Sequence, residues 1–111
     1  MKTLKLEDWD KTPQGYTGIV EYTTGNREWF KNGKSHREDG PAWIKKDGLK
    51  SWCLDGKGIC NSSYKFDLTN QIILSKTQHP LYPTVQVWKI LDKNGLREQI
   101  IIPGMEEIII E

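Results

Sequence analysis

The sequence predicts a mainly β protein, an antiparallel meander of stacked β-hairpins with room for one short helix. Three observations carry this expectation. Residues 17–39 and 40–62 echo each other at a constant offset, so that Gly25 falls on Gly48, Trp29 on Trp52, Gly33 on Gly56 and Lys34 on Lys57. A fixed period in the twenties marks one supersecondary unit copied and stacked; one unit cannot bury its apolar face alone, so the copies share a core. The dipeptides Asn32-Gly33, Asp47-Gly48, Asp55-Gly56 and Asn94-Gly95 are hairpin signals, because tight β-turns need positive φ at their centre. Five tryptophans and four tyrosines supply the ring surface that suits half-buried strands.

The elements follow in order. Residues 1–14 form a polar lead-in around Trp9, ending at Pro13. The first repeat has strands over 19–23 and 27–31, with turns at Thr24-Gly25 and Asn32-Gly33. The second has strands over 43–46 and 49–54, with turns at Asp47-Gly48 and Asp55-Gly56. Residues 61–83 form a helix or loop connection. Ser62 or Ser63 can cap a short helix over 64–74, with Phe66 and Ile73 on one side, while 71–74 reads equally as a strand. Residues 76–83 read as an extended loop through His79-Pro80 and Tyr82-Pro83. Residues 84–111 make a third hairpin and a last short strand. A two-residue turn at Asn94-Gly95 puts Asp92 opposite Arg97, a favourable cross-strand pair. The chain is read as one domain, 1–111, large enough for a modest core without staples.

Charge narrows the function classes. Sixteen basic and 15 acidic residues leave a net charge of +1, which provides no strong field for nucleic acid or a membrane surface. The apolar runs 100–102 and 108–110 are far too short to span a bilayer. The opening MKTLKLEDWDK lacks the apolar stretch of a signal peptide, so the expected compartment is the cytoplasm.

Candidate chemistry is sparse. Cys53 and Cys60 with His36 and His79 match no common zinc-finger spacing, and two free thiols are the expected state, with no metal and no cofactor. His36-Arg37-Glu38-Asp39 gathers an acid–base residue and two carboxylates, which a small hydrolase can use. Such close neighbours in a linker mostly point apart, and Asp39, Gly40 and Pro41 together are turn chemistry, so the structural reading is preferred. Gly56-Lys57-Gly58 lacks the third glycine and following helix of a phosphate cradle. Arg27, Lys31, Lys34, Arg37, Lys45, Lys46 and Lys50 interleave with Trp29, Trp43 and Trp52. Cations and rings on one sheet can dock a protein or stack nucleic-acid bases.

The stretch NREWFKNGKSHREDGPAWI resembles the MORN repeat, whose units centre on an aromatic-x-x-Asn-Gly-Lys turn. It is closer to a variant with a His-Arg-Glu-Asp-Gly-Pro-Ala linker, as in small bacteriophage and bacterial proteins; here the linker is residues 36–42. The resemblance covers residues 15–60. The second copy departs from it, with Gly58-Ile59-Cys60-Asn61 in place of His-Arg-Glu-Asp, so the array is expected to end there. The resemblance carries over no catalytic residue. It implies a phage-type binder that occludes a bacterial defence complex in the host cytoplasm, as anti-CRISPR proteins do.

The expected function is therefore non-enzymatic protein binding. The expected partner surface is Arg27, Trp29, Lys31, Lys34, Arg37, Lys45, Lys50 and Trp52, with Asp39, Gly40 and Pro41 as a structural turn. A nucleic-acid-contacting sheet is the alternative, and a small hydrolase at His36 the last. Oligomeric state is left open.

Overall fold

In the computed structural model two tight reversals form as their residues require. Asn32 and Gly33 have φ of 52° and 77°, and Asp55 and Gly56 have 49° and 78°. Both pairs occupy the left-handed region that a two-residue hairpin demands. The structure describes residues 1–111, the side chain of Trp9 excepted, so the sequence-based placement of Trp9 at the centre of the lead-in lies outside the described residues.

The strands are β1 (Thr3–Leu6), β2 (Gly18–Tyr22), β3 (Arg27–Lys31), β4 (Lys34–Ser35), β5 (Trp43–Ile44), β6 (Lys50–Leu54), β7 (Lys57–Asn61), β8 (Phe66–Asp67), β9 (Ile72–Gln78), β10 (Gln86–Asp92), β11 (Gly95–Ile101) and β12 (Ile109–Ile110). Single 3-10 turns lie at Trp9–Lys11 and Met105–Ile108. The chain divides into two compact units, Met1–Arg37 with Pro41–Ser63, and Glu38–Gly40 with Tyr64–Glu111.

The first unit holds a sheet ordered β1-β2-β3-β5-β6-β7, with β4 paired to β3. The two repeats are superimposable in their bonding. Tyr22 N–H donates to Asn26 O and Gly25 N–H to Tyr22 O, at 2.8 and 2.9 Å. The equivalent bonds, Lys45 N–H to Leu49 O and Gly48 N–H to Lys45 O, have the same lengths. The register places Arg27 opposite Ile44, and Ile44 opposite Lys50. Two residues further along their strands, Trp29 and Trp52 therefore share a face, with β5 between them. Trp52 is wholly buried, Trp29 nearly so, and Ala42 fills the space in line with them. Each ring buries roughly 4–6 kcal/mol of apolar area before entropy is charged against it. The other face carries a row formed by Leu4, Val20, Glu28, Trp43 and Ser51.

The second unit centres on β10, flanked antiparallel by β9 and β11, with β8 and β12 as a parallel pair. Val85, Trp88, Ile90, Ile101, Ile102, Met105 and Ile108 are its buried hydrophobic residues, together with Leu68.

Four expectations are corrected here. The helix reading of residues 64–74 falls and its alternative, a strand over 71–74, holds within β9; Ser63 N–H donates to Asn61 Oδ1 in a turn, and exposure alternates from Ile72 to Lys76. The expected loop over 76–83 begins later, because β10 offers its edge. Gln78 pairs with Gln86, and His79 N–H reaches Val85 O at 2.8 Å. His79 precedes a proline, and the extended bias this imposes serves a strand end as well as a loop. In the third hairpin Asp92 lies opposite Gly95, and Ile90 opposite Arg97. Asp92 Oδ1 accepts Asn94 N–H at 2.8 Å, fixing Lys93-Asn94 as the loop, and Gly95 takes the positive φ at the strand end. Arg97 Nε still reaches Asp92 Oδ2 diagonally at 3.3 Å. The last segment is mostly a 3-10 turn, with only Ile109–Ile110 as strand.

Candidate functional site

Pleating brings four side chains to one side of the repeat sheet. Glu28 lies directly across from Trp43, Phe30 is two residues further along β3, and Tyr22 approaches from β2. They wall a cleft of about 910 Å³ in the first unit. Its rim is formed by Glu7, Asp8 and Asp10 of the lead-in and by Lys34 after the Asn32-Gly33 turn.

Glu28 is only 9% exposed, which for a carboxylate demands partners. Tyr22 Oη donates to Glu28 Oε1 at 3.0 Å, and Ser35 Oγ donates to Oε2. Burial, reinforced by the Glu28 charge and by this hydrogen bond, pushes the Tyr22 phenol up to about 12. An acid whose folded pKa lies above its unfolded value of 10.0 stabilises the fold fully below pH 10, and that contribution is lost as pH rises toward 12. Titration of phenolate absorbance should thus show one tyrosine ionising last, and Tyr22→Phe should remove that final step. A titration unchanged by Tyr22→Phe would contradict the burial of this pair.

The residues expected to form a partner surface are dispersed. Trp29 and Trp52 are core residues, because they fall on the face where the two repeats share apolar contacts. Arg37 is drawn in with them: its guanidinium lies 4.1 Å from the Trp29 ring, and Nη1 donates to Pro41 O at 3.1 Å. Arg27 is exposed and pairs with Glu21 at 3.4 Å. Lys31 lies opposite Lys34, and Lys34 lines the cleft. Lys50 shares the face of Arg27, whereas Lys45 Nζ stands 5.9 Å from the Trp43 ring, which points to the other face. Period-two alternation thus separates cations that looked contiguous along the chain.

In the linker, His36 Nδ1 stands 3.4 Å from Asp55 Oδ1. His36 is buried, and its Nδ1 accepts Asp55 N–H at 2.8 Å, holding the second tight turn. Glu38, Asp39 and Gly40 form a bend; Gly40 is buried, Asp39 is exposed and Pro41 is half-buried. Burial raises the thiols of both Cys53 and Cys60.

Sequence reasoning passed over Glu28, Tyr22, Phe30 and Trp43 as a group. The available signal was an acid sharing a strand face with Phe30 while its neighbour Trp29 enters the core.

No family model matches the chain, and no curated protein or solved structure matches it. Among the described residues no helix is long and apolar enough to cross a membrane.

Proposed function

We propose that the chain is a non-enzymatic protein-binding module that receives a segment of its partner in the first-unit cleft. One observation carries this reading. A concave site of about 910 Å³ is walled by Tyr22, Phe30 and Trp43 on paired strands. Concave sites lined by aromatic groups with a few placed polar groups are the usual form of a binding site. Tyrosine and tryptophan dominate interface energetics, and strands hold them at low entropic cost. Trp43 is 37% exposed and able to meet a partner, unlike Trp29 and Trp52. The resemblance of residues 36–42 to linkers of small phage and bacterial proteins supports a narrower version. In it the partner is a bacterial defence protein that the chain occludes in the host cytoplasm.

Site-specific photocrosslinking tests the proposal. A photoreactive residue in place of Thr24, which is exposed on the cleft wall, should capture a discrete protein from a bacterial lysate. The same group in place of Glu98 in the second unit should not. Trp43→Ala should reduce capture at least tenfold, about 1.4 kcal/mol, without unfolding the chain. Salt-dependent binding of arbitrary oligonucleotides with no protein captured would overturn the proposal in favour of nucleic acid.

A further inference from the structure

We propose that the cleft recognises a cationic side chain, a lysine or arginine on a basic segment of the protein partner, held between the Tyr22, Phe30 and Trp43 rings against the Glu28 carboxylate. This rests on the protein-binding reading and names the chemistry of what enters. Four arguments converge. The first is charge: among the described residues Glu7, Asp8, Asp10 and Glu28 line the cleft, against Lys34 in the lining and Lys45 beside the Trp43 ring, in a chain of net charge +1. The acidity is therefore local and complements a cation. Phosphate groups are repelled by the same set, which disfavours a nucleic acid at this site.

The second argument is the aromatic wall. Three aromatic side chains and a carboxylate lining one cleft are the composition of cages that attract lysine, arginine and quaternary ammonium groups through the ring quadrupole. The third is the protein's own chemistry: the Lys45 ammonium already stands over Trp43, at 5.9 Å from its centroid. A cation from the same chain thus occupies one ring of the wall. The fourth is hydrogen-bonding capacity. A carboxylate offers about four acceptor sites. The Tyr22 and Ser35 hydroxyls fix the Glu28 orientation through one bond to each oxygen, leaving capacity for an incoming N–H.

The experiment uses the full chain and short neutral peptides carrying one central residue: lysine, arginine or norleucine, the last keeping the lysine stem without its charge. Binding is followed by NMR shifts of the Trp43 indole N–H and the Glu28 amide. Lysine or arginine peptides should shift both signals, at least tenfold more tightly than norleucine. In Trp43→Ala the Glu28 amide should no longer respond, and Asp8→Asn with Asp10→Asn, both exposed, should weaken the response of both signals and flatten its salt dependence. Norleucine binding as tightly as lysine overturns the cation assignment, as does no response to either cationic peptide. Free tetramethylammonium binding as tightly as the lysine peptide also overturns it, since the site would then belong to a small-molecule cation. If crosslinking captures a protein but lysine gives no advantage, protein binding stands and the cation assignment falls. If lysine binds but no protein is captured, the reverse holds.

Discussion

Trp52→Ala is expected to cost about 3–5 kcal/mol, the range for removing a buried aromatic ring. Trp52 is the largest wholly buried side chain, and its strand β6 lies between β5 and β7. Its ring sits on the face that both repeats share, so its loss leaves a void that neither copy can fill by itself. Small domains hold only about 5–15 kcal/mol in total, so the variant should be marginal at ambient temperature. Urea unfolding followed by circular dichroism measures the loss. Trp52→Phe should recover much of it, and Trp43→Ala, on the opposite and partly exposed face, should cost far less. A Trp52→Ala midpoint within experimental error of the parent would contradict the shared-core packing.

Gly18→Ala should be the second most damaging change. Gly18 has φ of 147°, a conformation that side chains rarely adopt. An added Cβ would lie 2.6 Å from the Lys2 carbonyl oxygen and 2.6 Å from the Tyr16 hydroxyl. The former is backbone and holds the parallel junction of β1 with β2, where Ile19 N–H donates to Lys2 O at 2.9 Å. Backbone strain and crowding each cost about 1–3 kcal/mol, so a combined loss of about 2–6 kcal/mol is expected. Hydrogen exchange at Ile19 should accelerate more than at Trp52, because β1 is displaced first. Combining it with Tyr16→Ala should be less than additive, since that change removes one of the two collisions. Unchanged protection at Ile19 would count against this account.

The repeat was legible because its determinants are local. Glycines at 25 and 48, and the pairs 32–33 and 55–56, dictate turns through φ alone, and the observed turn bonds match at corresponding positions. The strand β1 was not legible. Residues 3–6 join β2 in parallel across a long connection, and no local pattern announces such a pairing. The Asp92 register was missed for a subtler reason: an Asx bond moved the loop by one residue, and Gly95 served the strand end instead of the turn centre. The cleft was hidden because its walls come from β2, β3 and β5 and its acidic rim from the lead-in. Alternation along β3 puts Glu28 and Phe30 on one face, but only the cross-strand register adds Trp43 to them.

The matching turns of the two hairpins separate folding from lining. At the positions equivalent to Tyr22, Glu28 and Phe30 the second copy carries Lys45, Ser51 and Cys53, yet its chain path keeps the same reversals. Two kinds of information are thus separable in this chain: a frame written in glycines, which both copies share, and a set of lining side chains, which only the first carries. A frame that tolerates this divergence within a single molecule can also tolerate it between molecules. The lining of such a hairpin can therefore be exchanged without relearning how to fold.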